Sequence, residues 1–378
     1  MRKLKASGNE LVALGALDAR CNFFAGYPIT PSSEVMHNIS VTFPSDGRMF
    51  IQMEDEIAAI CAALGASMSG VKAMTNTSGP GLALKSEQIG YAHMAEIPLV
   101  IVNVMRGGPS TGLPTRTSQG DILFARAPTP GDVKTIVLTP GTTEECYTET
   151  IRAFNLAERF MQPVILLLDE TLGHTARDVS LDDLEDIEKT LVNRKINNRG
   201  DYQPYNVKDD EPAVLNPFFT GQPYHITGLT HDQTGFPTEN AILCQKLIDR
   251  QFKKIDANLD KIEKYKKYWV DDADYLIICY GSVSLAAREA INRMRTEEIK
   301  VGMFRPLTIW PSPEKRMFEL AKKFDPENVL VIEMNKGQYL REIERCMRNR
   351  PQFLSKVNGR PISPLDIVEK LREMHHGV

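Results

Sequence analysis

Residues 49–74 read MFIQMEDEIAAICAALGASMSGVKAM, and this stretch decides the fold class. Apolar segments at Met49–Met53 and Val71–Met74 flank a run of small residues from Ile57 to Met68. The flanking segments have the length of buried strands, and the run between them has the length of a helix. A strand, a helix and a strand in this order predict two parallel strands joined by a helical crossover.

The same alternation extends outward, from about residue 8 to about residue 170. Further strands are predicted at residues 22–25, 99–104, 135–138 and 164–168, and further helices at residues 10–19 and 143–159. Continuous apolar strands separated by helices indicate a parallel sheet that is covered on both faces. Residues 1–185 are therefore predicted to form a first α/β domain.

Residues 186–238 are rich in polar and turn-forming residues and predict a linker or insertion without a core of its own. Apolar residues then recur at spacings of three and four from Leu247 to Trp269, which predicts one long amphipathic helix. Packing against another subunit and an ordinary surface position are both compatible with this spacing. Further strands at 275–280, 300–304 and 329–332, with helices at 284–294 and 313–324, place a second α/β domain within residues 239–378.

Composition and charge narrow the function classes. The 378 residues are 42% hydrophobic and 25% charged, as in ordinary globular proteins, and 45 basic against 49 acidic residues give a net charge of −4 without a basic block. Nucleic acid is therefore excluded as a partner. The longest apolar runs are too short to span a bilayer and no secretory signal is readable, so we expect a cytoplasmic protein without membrane association.

The six cysteines, at positions 21, 61, 146, 244, 279 and 346, lack the close spacing of zinc or iron-sulfur sites. No metal site is therefore predicted in this chain. The histidines form no Ser-His-Asp, Cys-His or HExxH arrangement, so a self-contained hydrolase or metal enzyme is poorly supported.

Residues 27–34, YPITPSSE, follow the first predicted strand. Thr30 as an N-cap with Pro31 in the first helical turn is one interpretation. The other is a ligand site, because open parallel sheets bind ligands at the carboxyl ends of their strands.

Glu54, Asp55 and Glu56 precede the small-residue helix. Favourable interaction with the helix dipole is their simplest role. Three acids are more than the interaction with the helix dipole requires. The small residues of the helix also permit close approach of another backbone, so one of the acids could face an interface.

Residues 77–81, TSGPG, form a glycine-rich turn directly after a strand. The turn is not a dinucleotide loop, because Leu84 occupies the third glycine position and no acid stands about 20 residues further on. It is either a structural turn or a place where backbone N–H groups approach a ligand.

Arg106 ends the strand at residues 99–104 and opens a long polar loop, residues 107–121, that contains Arg116. A long polar loop at the carboxyl end of a strand is often functional. Guanidinium groups bind carboxylates through two parallel hydrogen bonds, so both arginines are candidate carboxylate anchors. Solvated surface arginines are the alternative.

Six motifs together resemble the α subunit of the 2-oxo acid:ferredoxin oxidoreductases, particularly the 2-oxoglutarate type. They are YPITPSSE (27–34), EDEIAAICAALGASMSG (54–70), TNTSGPG (75–81), VNVMRGGPSTGLPTRTSQGD (102–121), GLTHDQTGFPT (228–238) and EMNKGQ (333–338). The resemblance implies an α/β chain with a parallel-sheet, thiamine-diphosphate-binding-type pyrimidine domain, followed by a transketolase C-terminal-like α/β domain.

The resemblance also implies a shared cofactor. The diphosphate signature, a GDG followed by an Asn, is absent, since Gly120-Asp121 precedes Ile122 and Gly131-Asp132 precedes Val133. A partner β subunit is therefore expected to hold Mg²⁺ and the diphosphate of thiamine diphosphate, together with a [4Fe-4S] cluster. Small γ and δ subunits and ferredoxin are further expected partners, and the expected assembly is a dimer of αβ heterodimers.

Site roles follow from the resemblance position by position. Glu56 matches the catalytic glutamate that hydrogen-bonds the pyrimidine ring and favours its imino tautomer, with Ser78 and Gly79 also assigned to cofactor binding. Thr30 and Arg106 match substrate-binding residues, the latter for the carboxylate beside the 2-oxo group. Arg116 is a candidate for a second carboxylate.

The implied reaction is reversible oxidative decarboxylation of 2-oxoglutarate with coenzyme A, giving succinyl-CoA and CO₂ and passing electrons to ferredoxin. Pyruvate or a branched-chain 2-oxo acid is the alternative substrate. A non-catalytic assembly subunit is the alternative from another class, and the joint presence of Thr30, Glu56 and Arg106 argues against it.

Overall fold

The computed structural model describes residues 1–197, 200 and 202–377. Its strands are β1 (Arg2–Ala6), β2 (Cys21–Gly26), β3 (Met49–Gln52), β4 (Lys72–Thr77), β5 (Leu99–Gly107), β6 (Leu113–Thr117), β7 (Ile136–Leu138), β8 (Pro163–Asp169), β9 (Arg177–Leu181), β10 (Tyr265–Tyr268), β11 (Tyr275–Ile278), β12 (Val301–Pro306), β13 (Thr308–Trp310), β14 (Val329–Glu333) and β15 (Gln352–Ser355). Its α-helices are α1 (Gly8–Asp18), α2 (Ser33–Ser45), α3 (Glu56–Met68), α4 (Gly79–Leu84), α5 (Ser86–Met94), α6 (Ile122–Arg126), α7 (Thr143–Phe160), α8 (Glu170–His174), α9 (Leu184–Thr190), α10 (Ala241–Asp256), α11 (Leu259–Ile262), α12 (Val283–Thr296), α13 (Glu314–Ala321), α14 (Leu340–Met347) and α15 (Pro364–His376).

The larger sheet has the strand order β13-β7-β8-β5-β4-β2-β3, with β6 paired to β5 outside this path. All neighbours from β7 to β3 are parallel. Successive side chains of β5 point to opposite faces of the sheet. Val100 and Val102 pack with α1, α2 and α7 on one face, and Leu99 and Ile101 pack with α3 and α5 on the other. This covered parallel sheet confirms the predicted α/β class.

The smaller sheet has the order β10-β12-β11-β14-β15. All its pairs are parallel except β10 with β12. The chain leaves β12 and adds β13 antiparallel to β7 at the edge of the larger sheet. The second α/β unit is thus joined to the first by β13, which follows β12 in the chain and pairs with β7 of the larger sheet.

The prediction of one long helix from Leu247 to Trp269 was wrong. Helix α10 ends at Asp256, the short helix α11 follows, and Tyr265–Tyr268 forms the strand β10. The backbone of this strand pairs with residues 303–306 of β12, so sheet pairing overrides the helical spacing of its aromatic residues.

Residues 191–240 contain no helix or strand in the part of the chain that is described. This segment contributes three buried residues to a small apolar cluster around Met161, namely Tyr205, Ala213 and Leu215. Asn198, Arg199 and Asp201 of the predicted linker, and the last residue of the second predicted domain, Val378, lie outside the described residues. Just before this segment, β9 pairs antiparallel with β1, and neither strand was predicted.

Candidate active site

The candidate site lies where the parallel strands β2, β4 and β5 end. Thr30 follows β2, Ser78 follows β4, and Arg106 is the next-to-last residue of β5. Carboxyl ends of parallel strands meet at one edge of a sheet, and this edge is where open α/β sheets bind ligands.

Glu56 is the first residue of α3. The Asp55 side chain caps this helix by accepting a hydrogen bond from the Ala58 N–H at 2.7 Å, which leaves the neighbouring Glu56 free for another role. Its side chain is buried, with 6% of the residue exposed. Among the described residues, none donates a hydrogen bond to its carboxylate, so the carboxylate is available to a ligand.

Helix α4 packs directly on Glu56 because residue 81 is glycine. A side-chain carbon at Gly81 would lie 2.6 Å from Glu56 Oε1 and would also collide with the Thr77 hydroxyl. The glycine-rich turn of residues 77–81 is therefore required for close approach to Glu56. This is a packing reason for the motif that the sequence alone did not reveal.

Lys85 lies beneath Glu56 and was missed by sequence reasoning. Its fully buried ammonium donates to the Glu56 carbonyl oxygen at 2.8 Å and to the Thr75 hydroxyl at 3.3 Å. Burial lowers the pKa of Lys85 to about 8, an effect that the Glu56 carboxylate opposes. Lys85 thus ties the start of α3 to β4. The sequence signal was a lysine directly after the apolar residues 82–84.

Ser78 and Gly79 lie beside Asp121. Ser78 is fully buried, and a side-chain carbon at Gly79 would lie 3.5 Å from an Asp121 carboxyl oxygen. Asp121 in turn accepts a hydrogen bond from Asn103 Nδ2 at 2.8 Å. Burial raises the pKa of Asp121, and the Asn103 hydrogen bond and the Arg106 charge oppose this. Asn103 and Asp121 are therefore additional site residues.

Arg106 and Thr30 are brought together, although not as predicted. Arg106 Nη1 donates to the Thr30 carbonyl oxygen at 2.7 Å. The N-cap interpretation of Thr30 was wrong, because α2 begins at Ser33 and its N-cap position is Ser32. Thr30 itself is exposed, so its hydroxyl remains accessible.

Two asparagines hold the turn that contains Thr30. Asn9 Nδ2 donates to the Pro31 carbonyl oxygen at 2.9 Å, and Asn76 Nδ2 donates to the Ser32 carbonyl oxygen at 2.7 Å. Asn76 comes from the TNTSGPG motif, so two of the motifs are in direct contact at the site.

The segment after Arg106 is a hairpin rather than the predicted continuous loop, since Leu113–Thr117 pairs antiparallel with β5. Thr117 lies opposite Arg106. Gly107 lies opposite Leu113, so the register shifts between the two paired positions and residues 114–116, including Arg116, bulge out of the pairing with β5. Arg116 is exposed and packs against Gly359, where a side-chain carbon would lie 2.9 Å from Arg116 Cβ.

Four buried polar atoms at this edge have no hydrogen-bond partner among the described residues. They are Asn76 Oδ1, Ser78 Oγ, Asn103 Oδ1 and Arg106 Nε. Buried polar groups in native proteins are almost always paired. Their concentration around the ends of β4 and β5 leaves donors and acceptors at this edge that a bound group could use.

No metal centre is present within the described residues, where no three His, Cys, Asp or Glu side chains are placed to hold an ion. Within the same residues, no helix is long and apolar enough to cross a membrane.

Comparisons with known proteins match both halves of the chain. Residues 14–248 match the family described as pyruvate flavodoxin/ferredoxin oxidoreductase, thiamine diP-bdg. Residues 273–367 match pyruvate:ferredoxin oxidoreductase core domain II.

Named relatives are similar over nearly the whole chain. 2-Oxoglutarate synthase subunit KorA of Methanothermobacter marburgensis is 41% identical, over 97% of this chain and 98% of the relative. Ketoisovalerate oxidoreductase subunit VorB of Methanothermobacter thermautotrophicus is 33% identical, over 97% of this chain and 96% of the relative.

A solved structure has the same architecture. It is 2-oxoglutarate:ferredoxin oxidoreductase from Magnetococcus marinus with 2-oxoglutarate, coenzyme A and succinyl-CoA bound, at 35% identity and a TM-score of 0.93. The match covers 98% of this chain and 65% of the other, so this chain spans about 65% of the length of that protein.

Proposed function

Because this chain belongs to the thiamine-diphosphate-binding pyruvate flavodoxin/ferredoxin oxidoreductase family, we propose that it is the α subunit of a 2-oxoglutarate:ferredoxin oxidoreductase. The enzyme converts 2-oxoglutarate and coenzyme A to succinyl-CoA and CO₂ and passes the two electrons to ferredoxin, reversibly. The observation that carries this proposal is the group of unpartnered buried polar atoms, Arg106 Nε among them, at the sheet edge that also holds Glu56.

The residues present fit thiamine diphosphate. The Glu56 carboxylate is buried without a donor among the described residues, which suits a ring nitrogen that carries a proton. Ser78, at the start of helix α4, has a buried Oγ without a hydrogen-bond partner in the described part of the chain. Glu56, Ser78 and Gly79 would hold the cofactor. When bound, it supplies the carbanion chemistry by which a 2-oxo acid loses CO₂, which protein side chains cannot perform alone.

The other site residues bind and orient the substrate. Arg106 donates to the carboxylate beside the 2-oxo group through its Nε–H, which has no partner among the described residues. The Thr30 hydroxyl donates to the substrate carboxylate or carbonyl oxygen, and its backbone carbonyl holds Arg106 in place. The Glu56 carboxylate would accept a hydrogen bond from the protonated ring nitrogen of the cofactor. Arg116 is the proposed anchor for the distal carboxylate.

A partner β subunit completes the site in this proposal, holding Mg²⁺, the diphosphate and a [4Fe-4S] cluster. The absent GDG signature and the dispersed cysteines support it. The surface beside Glu56 gives further support, because Ile57 and Leu84 are large apolar residues that remain exposed there. Small γ and δ subunits, ferredoxin as electron acceptor, a dimer of αβ heterodimers and a cytoplasmic location belong to the same proposal.

The same scaffold acting on pyruvate or a branched-chain 2-oxo acid is the second candidate. The ketoisovalerate relative, at 33% identity against 41% for the 2-oxoglutarate relative, makes it the weaker one.

The test is to purify the chain with its β subunit and measure viologen reduction that depends on coenzyme A. We expect the highest kcat/KM with 2-oxoglutarate, compared with pyruvate and 2-oxoisovalerate. A preference for either of the other acids would refute the substrate assignment. Absence of activity with all three would favour the non-catalytic assembly subunit.

A further inference from the structure

The second α/β unit forms several hydrogen bonds to the hairpin that follows Arg106. We call residues 107–121 the substrate hairpin and residues 333–338 the clamp. Gln119 of the hairpin is fully buried, and its backbone N–H donates to the Met334 carbonyl oxygen at 3.0 Å. Its side chain accepts from the Met334 N–H at 3.0 Å and donates to the Tyr280 carbonyl oxygen at 2.9 Å.

Two further clamp residues bind the same end of the hairpin. Asn335 Nδ2 donates to the Gln119 carbonyl oxygen at 2.7 Å. Gln338 donates to the Gly120 carbonyl oxygen at 2.6 Å and accepts from the Leu123 N–H at 3.0 Å. The backbone on both sides of Asp121 is therefore fixed by side chains from the second unit.

The clamp is itself held rigidly. The fully buried Glu333 carboxylate accepts hydrogen bonds from the Tyr280 hydroxyl at 2.6 Å, the Tyr339 N–H at 3.0 Å and the Leu340 N–H at 2.8 Å. Glu333 ends β14, so the clamp is connected directly to the smaller sheet.

Attachment of the two units does not depend on these contacts alone. Ser284 donates to the Gly141 carbonyl oxygen at 3.0 Å, and Arg305 forms two hydrogen bonds to Glu145 at 2.7 Å each. Both contacts join the units away from the hairpin. The hydrogen bonds to Gln119 and Gly120 are therefore additional to contacts that already join the units.

We infer that the clamp positions the substrate hairpin, with Gln119, Asn335 and Gln338 as positioning residues for substrate binding. The hairpin carries Arg116 and Asp121, and its strand β6 pairs with β5 at Arg106. This inference rests on the proposed function, in which that hairpin binds the 2-oxo acid, and it gives the second α/β unit a role in the site.

The experiment compares Gln338→Ala with Ser284→Ala in the assembled enzyme. Gln338→Ala removes two side-chain hydrogen bonds to the hairpin region, whereas Ser284→Ala removes a buried bond between the units that does not touch it. Gln338→Glu keeps the side-chain volume but cannot donate to Gly120, and it serves as a second variant should the alanine variant not fold. Hydrogen-deuterium exchange of residues 107–118 and steady-state kinetics are measured for each.

Gln338→Ala is expected to speed exchange of the hairpin amides and to raise the KM for 2-oxoglutarate roughly 5- to 100-fold, with kcat changed much less, from the usual contribution of two hydrogen bonds. Gln338→Glu, which loses one of the two, should change both quantities in the same direction by a smaller amount. Ser284→Ala should change neither quantity. Unchanged exchange in the Gln338 variants would overturn the clamp whatever the substrate is. Faster exchange with an unchanged KM for the preferred 2-oxo acid would overturn the positioning role. Failure of wild-type enzyme to use 2-oxoglutarate would instead refute the proposed substrate, and the exchange result would still decide the clamp.

Discussion

Replacing Arg106 by alanine is the most direct test of the site. The guanidinium is nearly enclosed, with 9% of the residue exposed, and only its Nη1 bond to the Thr30 carbonyl oxygen is made within the described chain. Its Nε–H is buried without a partner in the described residues. In our proposal this donor binds the carboxylate that all 2-oxo acids share.

The expected magnitude follows from these bonds. A hydrogen bond that involves a charged group contributes about 1.5–3 kcal/mol, which corresponds to roughly a 10- to 150-fold change in affinity. Since Nη1 is already engaged, we count the loss of one such bond. Arg106→Ala should therefore lower kcat/KM roughly 10- to 150-fold for each 2-oxo acid the enzyme accepts. Arg106→Lys keeps the charge but lacks the Nε–H, so its loss should be smaller.

Steady-state viologen reduction with 2-oxoglutarate and pyruvate provides the measurement. Arg159→Ala is a matched control, because Arg159 is an exposed arginine in the last turn of α7, at the opposite edge of the sheet. Thermal unfolding of each variant separates a binding defect from a folding defect. An Arg106→Ala enzyme that folds and keeps kcat/KM within threefold of wild type for both acids would remove Arg106 from substrate binding.

Two substitutions at the site, expression of the chain without its partner and one substitution in the core give further tests. Glu56→Gln in the assembled enzyme should lower turnover about 10²- to 10⁴-fold without unfolding the chain; a loss of only a few-fold, measured by steady-state rates, would assign the role to another acid. Arg116→Ala should raise the KM for 2-oxoglutarate by roughly 1.5- to 5-fold, the usual contribution of an exposed ion pair, and leave the KM for pyruvate nearly unchanged, whereas equal effects would exclude a role in selecting the substrate. The chain expressed without its partner should show neither iron-sulfur absorbance nor viologen reduction, and either signal would show that the β subunit is not required. In the core, burial alone would raise the pKa of Glu96, but Arg250 and Lys254 lower it from 4.5 to about 2. The ionised Glu96 therefore contributes stability that is complete above pH 4.5 and is lost as the pH falls toward 2. The urea midpoint of the wild-type protein should fall more steeply over that pH range than the urea midpoint of Glu96→Gln.

The alternating strands and helices of the first unit were predictable from sequence because buried parallel strands are apolar on both faces. The strand at Leu99–Val104 was recognised for this reason, and the structure extends it to Gly107. Strand β6 was not predicted, because Leu113–Thr117 contains a proline, two threonines and an arginine and is stabilised by pairing with β5. Treating this segment as a loop also concealed its contact with the second unit, where Arg116 packs against Gly359.

The site residues that sequence reasoning missed act through contacts between distant segments. Lys85 binds the Glu56 carbonyl oxygen across 29 positions of the chain, and Gln119 contacts Met334 across 215. Such pairs leave no local periodicity or spacing in the sequence. The Thr30 error has a local cause, since a threonine followed by a proline is typical of a helix start, whereas here the turn is fixed by Asn9 and Asn76.

The different burial of the two arginines supports different roles in substrate choice. A buried guanidinium that is left unpaired is costly, so Arg106 is suited to a carboxylate that is present in every substrate. Arg116 is exposed and can remain hydrated when no carboxylate reaches it. A substrate without a distal carboxylate, such as pyruvate, therefore incurs no penalty at Arg116, and 2-oxoglutarate gains only the modest free energy of an exposed ion pair. Strong rejection of pyruvate would consequently require a group from the partner subunit, and the size of the Arg116→Ala effect measures how much of the selectivity this chain supplies.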